Sequence, residues 1–250
     1  MVAEPRVLSI AGSDPSGGAG MQTDIRTITL LGGYAQGVLT ALTAQNKDGI
    51  VAMQILPADF VRQQLEAVFA AEKAVAVKTG MLGTAEIVSA VAKQLKHHAQ
   101  ELLVVDPVMV STSGTRLLSL EGVQALQQEL LPLAWVITPN IPEAEVLTGL
   151  QITSLPEARE AMVKLRGQGA QKVVLTGGHW AGDYAVDILF DGKEFQIFSA
   201  PFIAAANNHG TGCAFASALA CFLARGEGLA TAVELAKNFV RGRLIAGDVS

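Results

Sequence analysis

Short runs of aliphatic and β-branched residues alternate along the chain with longer stretches in which apolar residues recur every three or four positions. The short runs predict strands at residues 7–11, 38–44, 75–78, 102–106, 135–138 and 172–176. The longer stretches predict helices at residues 20–31, 59–71, 85–98, 121–131, from 142, and at 156–167, 213–224 and 229–245. Strands separated by helices pair in parallel. The pattern therefore predicts an α/β fold, with a central, mostly parallel sheet of about eight strands and helices on both faces.

The segment at residues 184–199 has a different pattern. Val186, Ile188 and Phe190 recur at every second position, and Asp191-Gly192 then supplies a turn. This alternation predicts an antiparallel hairpin at the edge of the sheet. No linker, repeat or low-complexity tract interrupts the pattern, so we expect residues 1–250 to form one domain.

The composition excludes several classes of protein. Half of the 250 residues are hydrophobic and the net charge is −5, which argues against disorder and gives no support for binding nucleic acid. The longest strongly apolar stretch, residues 213–224, has 12 residues, whereas a membrane span needs about 20. The first residues lack the pattern of a signal peptide, so we expect a cytoplasmic protein that does not enter the membrane.

The two cysteines, Cys213 and Cys221, agree with that expectation. If both lie on one helix, a rise of about 1.5 Å per residue separates them by about 12 Å, which is too far for a disulfide. Neither has a cysteine or histidine nearby at the spacing of a metal site, so we expect no zinc site.

Glycine-bearing loops lie where strands end or helices begin, which is where parallel α/β sheets bind their ligands. None has the lysine of a Walker A loop or the spacing of a dinucleotide-binding loop. In the loop His209-Gly210-Thr211-Gly212-Cys213, two glycines permit a tight turn, and the next helix adds N–H groups and a positive dipole end. This predicts an anion hole for a transferring phosphoryl group and a lowered pKa for the Cys213 thiol. The alternative is an ordinary turn in which Cys213 is a small buried residue.

The opening loop, residues 12–20, follows the first strand, and Asp24 lies one turn into the next helix. Glycines in this loop would let the backbone approach a ligand closely. Gln45 and Asn46 end the second strand, where an amide side chain can bind a heterocycle by hydrogen bonds. The alternative is a flexible turn with a solvated Asp24, and an ordinary loop at Gln45.

Polar side chains also stand at the ends of later strands. Asp106 ends an apolar strand, where an acid is costly unless it faces water, a metal or a cation. Asn140 and Glu143 have the spacing of a helix capping box, and they could also hold Mg²⁺ or its waters beside nucleotide phosphates. His179 follows Thr176-Gly177-Gly178 after another predicted strand.

Several motifs, taken in their order, resemble the hydroxymethylpyrimidine kinase branch of the ribokinase-like superfamily. They are I-A-G-S-D-P-S-G-G-A-G-M-Q-T-D at residues 10–24, T-A-Q-N at 43–46, K-T-G-M-L-G at 78–83, V-D-P-V-M-V at 105–110, T-P-N-I-P-E-A-E-V-L at 138–147, G-G-H at 177–179 and H-G-T-G-C at 209–213. They extend over nearly the whole chain, and the first and last are the most specific. The identity of the substrate is implied by this resemblance and not by periodicity.

The resemblance implies ATP- and Mg²⁺-dependent phosphorylation of 4-amino-5-hydroxymethyl-2-methylpyrimidine and then of its monophosphate, by a homodimer. By analogy, the backbone of Gly210, Thr211 and Gly212 forms the anion hole, and Cys213 takes the proton of the substrate hydroxymethyl group. The residues implied for pyrimidine binding are Gly12, Ala19, Asp24, Gln45, Met81 and Val108. Those implied for the nucleotide phosphates are Asn140, Thr176, His179 and Lys237, and those implied for Mg²⁺ are Asp106 and Glu143.

The sequence departs from the family pattern in three places. Thr176 stands where the family usually has lysine, and Ala205-Ala206-Asn207-Asn208 replaces a stretch that commonly carries a lysine. The sequence also ends at Ser250 without the usual glycine- and histidine-rich tail. Loss of two cations near the phosphates predicts weaker catalysis, above all of the second phosphorylation.

Three alternatives stay open on the sequence alone. The first is a pyridoxine or pyridoxal kinase of the same fold, because that branch includes enzymes with a Gly-Thr-Gly-Cys loop. The second is a non-catalytic pyrimidine-binding protein, which Thr176 and Ala206 would favour. The third is a cysteine hydrolase built on Cys213 with His179 or His209 as its partner, although no cysteine–histidine spacing signature is present.

Overall fold

The computed structural model of the chain describes residues 4–46, 48–71, 73–178, 183–204 and 209–247. Its strands lie in one nine-stranded sheet, in the order β3-β2-β1-β4-β5-β6-β7-β8-β9. They are β1 (Arg6–Ser13), β2 (Tyr34–Asn46), β3 (Gly49–Ile55), β4 (Ala76–Thr79), β5 (Leu102–Val105), β6 (Val136–Ile137), β7 (Val173–Gly178), β8 (Tyr184–Phe190) and β9 (Phe195–Pro201). The strands from β2 to β7 in this order pair in parallel, whereas β3 at one edge and β8 and β9 at the other pair antiparallel.

Helices cover both faces of this sheet. They are α1 (Gly20–Leu30), α2 (Ala58–Ala71), α3 (Ala85–His97), α4 (Leu120–Ala125), α5 (Ile141–Thr148), α6 (Leu155–Gly167), α7 (Thr211–Ala224) and α8 (Leu229–Ala246). Successive residues of a strand face opposite sides, so Val7 and Val104 pack under α1, α7 and α8, whereas Leu8 and Val105 pack under α2 to α6. The predicted α/β fold is confirmed, and so is the antiparallel hairpin, formed by β8 and β9, at the sheet edge.

The apolar run near the end of the chain forms α7, the most buried helix of the fold. Residues 214–223 of this helix are all buried, because the sheet lies on one side and α1 and α8 pack on the others. Because α7 is enclosed on all sides, its sequence is apolar all round. None of the described helices is long and apolar enough to cross a membrane.

Two elements differ from the sequence prediction. The prediction does not include β3, because its apolar run has no buried face: β3 pairs with β2 at the sheet edge, and Val51 is 81% exposed. The helix predicted at residues 121–131 contains only the short α4, after which a π-helical turn (Leu126–Leu130) and a 3-10 turn (Leu131–Leu133) follow. Pro132, whose nitrogen cannot donate a hydrogen bond, lies in that last turn.

Candidate active site

The carboxyl ends of the parallel strands open into a cleft with a volume of about 590 Å³. β1 lies between β2 and β4. The chain therefore adds β2 on one side of β1 and then continues the sheet with β4 on the other side. Open α/β sheets bind ligands where the strand order reverses in this way. The predicted site residues that line the cleft are Gly12, Ala19, Gln45, Met81, Val108, Asp106, Asn140, Glu143, Thr176, Lys237, Gly210, Thr211, Gly212 and Cys213. His179 and the segment 205–208 lie outside the described residues.

The loop before α7 turns sharply at Gly210. This residue has φ +76°, in the left-handed region that favours glycine, and it caps the helix. The Ala214 N–H donates to the Gly210 carbonyl at 2.9 Å, so the hydrogen bonding of the helix begins there. The N–H groups of residues 211–213 precede that bond and carry the partial positive charge of a helix start. An anion in the cleft would meet this charge.

Cys213 lines the cleft at the start of α7 and is partly exposed. Burial raises the pKa of its thiol to about 12, although the Lys78 ammonium acts in the opposite direction. The carboxylates of Asp106 and Asp24 contribute to the same increase. The expectation of a lowered pKa is therefore wrong, because the loss of water around the sulfur outweighs the effects of the Lys78 ammonium and of a backbone hydrogen bond from Gly20. Burial at this position therefore favours the neutral thiol.

Asp24 does not line the cleft. It is fully buried in α1, where its carboxylate accepts hydrogen bonds from Lys78 Nζ at 2.9 and 3.0 Å, Ser9 Oγ at 2.6 Å and Ser217 Oγ at 2.7 Å. Its expected contact with the pyrimidine is therefore corrected, and the alternative of a solvated Asp24 is wrong as well. A carboxylate buried this deeply needs a cation and hydrogen-bond donors, and β4 supplies the cation.

Lys78 connects this buried pair to the cleft. Its Nζ lies 3.9 Å from Asp106 Oδ2. Burial alone would lower the pKa of Lys78, but Asp24, Cys213 and Asp106 raise it above its ordinary value. The space around Nζ is also tight, because a Cβ atom at Gly80 would lie 2.8 Å from it. A fixed positive charge therefore lies beside Asp106 at the wall of the cleft.

Asp106 and Glu143 form an acidic centre in the cleft. Burial raises the pKa of Asp106 to about 6, against the opposing effect of Lys78. Burial, together with the charge of Asp106, raises the pKa of Glu143 to about 8. Among the described residues, no donor makes a hydrogen bond to Asp106 Oδ2. Both acids are therefore short of positive charge, and a cation bound between them would favour their ionised forms.

Asn140 and Glu143 also form the capping box predicted for α5, which is confirmed. The Glu143 N–H donates to Asn140 Oδ1 at 2.9 Å, and the Asn140 N–H donates to Glu143 Oε2 at 3.0 Å. The acidic centre fits Mg²⁺, which prefers carboxylate oxygens and takes its remaining ligands from phosphates and water. In the described part of the chain, no group of three or more histidine, cysteine or acidic side chains is placed to hold a metal ion.

A second lysine–carboxylate pair lines the cleft on β8 and α8. Lys237 Nζ is 2.8 Å from Asp187 Oδ2, and Asp187 Oδ1 accepts a hydrogen bond from the Gly177 N–H at 3.0 Å. Thr176, next to Gly177, donates through Oγ1 to the Pro139 carbonyl at 3.4 Å. Lys237 is therefore linked through Asp187 to the loop that carries Thr176, and its ammonium is already bound to Asp187.

The sequence prediction missed two parts of the cleft. One is an apolar wall made by Phe202, Val240 and Leu244. Val240 and Leu244 are one turn apart on α8, and that spacing is the same as for an ordinary core face, so it cannot identify a binding wall. The other part is the contact between Asp14 and His209, which belong to the first and last motifs and come together only in the folded chain.

Known proteins are similar in sequence to this chain over nearly its whole length. The family model described as phosphomethylpyrimidine kinase matches residues 14–248. A hydroxymethylpyrimidine/phosphomethylpyrimidine kinase from Bacillus subtilis is 43% identical over 237 residues, which cover 94% of this chain and 88% of that protein. A thiamine biosynthesis bifunctional protein from Geobacter sulfurreducens is 49% identical over 94% of this chain, and the chain spans 48% of that protein's length.

Solved structures share the fold. A phosphomethylpyrimidine kinase from Clostridium difficile superposes with a TM-score of 0.85 at 39% identity, covering 96% of this chain and 99% of that one. A pyridoxal kinase from Staphylococcus aureus, in complex with AMP-PCP and pyridoxal, superposes with a TM-score of 0.88 at 37% identity, covering 97% and 88%. The fold is ribokinase-like, and the chain belongs to the phosphomethylpyrimidine kinase family.

Proposed function

We propose that the chain transfers a phosphoryl group from ATP to 4-amino-5-hydroxymethyl-2-methylpyrimidine, and then to its monophosphate, in thiamine biosynthesis. One observation carries this proposal: Gln45, the helix start at residues 210–213 and the acidic centre all line a single cleft. Phosphoryl transfer needs positioning and charge neutralisation more than covalent chemistry, and these groups can provide both.

The pyrimidine is proposed to bind beside Met81, which packs with Ala41 and Leu117 in a small apolar cluster. A Cβ atom at Gly12 would lie 2.9 Å from Met81 Sδ, so glycine lets the opening loop pass close to this sulfur. The Gln45 amide can pair with a ring nitrogen and an exocyclic amine at the same time. An apolar pocket with one convergent amide suits a flat heterocycle with polar edges.

The phosphates are proposed to bind between the helix start and the acidic centre. Charge that develops on the transferring phosphoryl group would be stabilised by the N–H groups of residues 210–213. Asp106 and Glu143 would hold Mg²⁺, which when bound neutralises charge on the phosphate oxygens. Asn140, Thr176 and Lys237 would contact the nucleotide phosphates, and the apolar wall beside Lys237 would take the nucleotide base.

Cys213 is proposed to take the proton of the hydroxymethyl group, for which it must first become a thiolate. Burial opposes that form, and so do the charges of Asp106 and Asp24, whereas Lys78 favours it. A cation bound at Asp106 would offset one of the opposing charges. We therefore expect the base to become available only in the fully loaded cleft.

The test is phosphoryl transfer from ATP to the pyrimidine alcohol, to its monophosphate and to pyridoxal, measured by product mass. We expect higher kcat/KM for the alcohol and its monophosphate than for pyridoxal. Pyridoxal is included because a pyridoxal kinase superposes on the chain as closely as a phosphomethylpyrimidine kinase does. A preference for pyridoxal would contradict the proposal. Tight pyrimidine binding without ATP turnover would contradict it too, by identifying a binding protein.

The proposal extends to a homodimer, which the family resemblance implies. In support, β3 lies at the sheet edge and exposes Val51 and Met53, so its side chains and its unpaired edge are accessible to a second copy. Light scattering of the purified chain at micromolar concentration tests this point, and a monomer mass would contradict it.

A further inference from the structure

One imidazole lies where several segments of the cleft meet. His209 Nε2 is 2.9 Å from Asp14 Oδ2, and His209 Nδ1 is 3.2 Å from Thr112 Oγ1. Gln45 Nε2 lies 3.1 Å from the same Nε2 atom. Asp14 belongs to the opening loop, Thr112 to the loop after β5, Gln45 to the end of β2, and His209 directly precedes the Gly210 turn. All four residues line the cleft.

The partners of this ring decide its tautomer. An ionised Asp14 carboxylate only accepts hydrogen bonds, so His209 Nε2 must carry a proton and donate it. In the neutral ring Nδ1 is then an acceptor, and the Thr112 hydroxyl donates to it. Two donors cannot face each other, so Gln45 turns its carbonyl oxygen toward the ring, where it and Asp14 Oδ2 share the single Nε2–H proton. The Gln45 amide nitrogen then takes the position 3.3 Å from Thr43 Oγ1 and donates a hydrogen bond to that hydroxyl.

Asp14 is a rigid acceptor for this histidine. Its carboxylate, buried with only 3% of the residue exposed, also accepts hydrogen bonds from Ser16 N–H at 2.9 Å, Ser16 Oγ at 2.7 Å and Ala19 N–H at 3.0 Å. These bonds fix the carboxylate within the opening loop. The position of His209 is therefore set by a group that has little freedom to move.

The backbones of the two loops also touch. A Cβ atom at Gly210 would clash with the Gly18 carbonyl oxygen, and a Cβ atom at Gly18 would clash with the His209 ring. Glycine at both positions is therefore required for the contact. The close approach and the hydrogen bond to Asp14 are separate observations that place His209 between the opening loop and the turn at Gly210.

We propose that His209 is a positioning residue of the pyrimidine site, which fixes the orientation of the Gln45 amide and holds the Gly210 turn against the opening loop. With the ring in place, Gln45 keeps one lone pair and one N–H for a heterocycle. His209 acts through Gln45 and Asp14, and it does not take part in the chemistry itself. This inference rests on the proposed function, because it assumes that Gln45 binds the pyrimidine.

The first experiment measures ligand binding to His209→Ala by calorimetry. We expect the Kd of the pyrimidine alcohol to rise about tenfold, because the Gln45 amide and the Asp14 carboxylate lose a buried partner. ADP, which has no γ-phosphate to reach the Gly210 turn, should bind with unchanged affinity. An unchanged Kd for the alcohol, or an equal loss of both ligands, would overturn the inference.

Two further variants separate positioning from folding. Glutamine can place an amide nitrogen near the position of Nε2, whereas asparagine reaches only as far as Nδ1. His209→Gln should therefore recover most of the affinity for the alcohol, and His209→Asn should not. If His209→Ala does not fold, this pair carries the same test. Equal affinities in His209→Gln and His209→Asn would contradict a role through Asp14 and Gln45.

A double-mutant cycle with Gln45→Leu is the sharpest test. If His209 acts mainly through Gln45, the double variant should bind the alcohol only slightly more weakly than Gln45→Leu alone, because only the contact with Asp14 is then left to lose. Additive losses would mean that His209 acts by another route, and the inference would be wrong. A wild-type chain that does not bind the alcohol at all would instead refute the proposed function.

Discussion

Asp24 and Asp187 each have a lysine nitrogen within 3 Å, at 2.9 and 2.8 Å. Among the described residues, the lysine nitrogen nearest to the Asp106 carboxylate is 3.9 Å away. That nitrogen belongs to Lys78 and is already bound to Asp24. Glu143 has a raised pKa and depends on backbone N–H groups for its hydrogen bonds. The buried acids in the cleft and beneath it are therefore of two kinds: those paired with a lysine, and those with no lysine nitrogen of the described residues within 3 Å.

The difference shows what each kind of acid can do. A buried ion pair with extra hydrogen bonds, such as Asp24 with Lys78, is satisfied without a ligand and holds α1, β4 and α7 together. In the acidic centre, by contrast, the pKa values of both acids are raised, and no lysine nitrogen among the described residues lies closer than 3.9 Å to Asp106. Such carboxylates gain from a ligand cation, and this is the expected property of a Mg²⁺ site.

The pKa of Cys213 is raised by one acid of each kind, Asp24 and Asp106. Of the substitutions considered, that of Cys213 should have the largest effect on turnover. Cys213→Ser replaces the proposed base with a group that ionises far less readily, so we expect turnover to fall by about 10²–10⁴-fold. The melting temperature and the affinity for ADP should stay near the wild-type values. These are measured by steady-state kinetics, thermal unfolding and calorimetry. Near-normal turnover would show that Cys213 only packs at the start of α7.

Lys78→Met should destabilise the fold more than Lys237→Met does. It leaves the fully buried Asp24 without a cation, at a cost of about 3–5 kcal/mol. For a chain of this size that corresponds to a fall in Tm of roughly 10 °C. The double variant Asp24→Asn/Lys78→Met should recover much of the loss, because both charges are then absent. If Lys78→Met and Lys237→Met lowered the melting temperature equally, the Asp24–Lys78 pair would not be more important for stability than the Asp187–Lys237 pair.

The acidic centre should make the ligand-free protein less stable as the pH rises. The pKa of Glu143 is about 8 in the folded chain against an ordinary value of 4.5, so folding favours its protonated form. That stabilisation is complete below about pH 4.5 and is lost as the pH rises through 8. We expect a decrease of at least about 1 kcal/mol between pH 5 and 8, or a Tm lower by about 2–4 °C.

Glu143→Gln is the matched control for this pH effect, because its amide does not ionise. Its Tm should change less between pH 5 and 8, and Mg²⁺ should raise the Tm of the wild type at pH 8 more than that of the variant. If both proteins show the same pH profile, Glu143 is not the group that titrates.

Thr176→Lys should have the smallest effect, by adding a cation to a region where Asp187 already engages Lys237. A lysine near a phosphate contributes on the order of 1 kcal/mol, or about fivefold in kcat/KM. The gain should be larger for the monophosphate than for the alcohol, because two anionic groups then share the cleft. Thr176→Met, of similar length but without charge, is the control. Equal gains on both substrates would show that Thr176 does not limit the second phosphorylation.

Much of this cleft could be predicted because its loops carry local signals. The capping box of α5 and the glycine turn before α7 depend on residues that are close in sequence. The role of Asp24 could not be predicted, because its partner Lys78 lies 54 positions away in sequence. Only the pairing of β4 with β1 brings Lys78 under α1. The pKa of Cys213 also escaped prediction. A helix start lowers the pKa of a thiol, and only the folded structure shows that burial outweighs this effect.

Two hydrogen bonds, one in the cleft and one buried beneath it, join parts of the chain that are far apart in sequence. Asp14 is bonded to His209 and Asp24 to Ser217, across 195 and 193 positions of sequence. Contacts of such range form late, because a long loop must close before they stabilise anything. A nascent chain that has not yet reached α7 can build the central strands, but it has neither the Gly210 turn nor the second hydroxyl for Asp24. Substrate should therefore protect from proteolysis only chains in which α7 has been synthesised and packed. The moment during synthesis at which this protection appears would then mark the last step of folding.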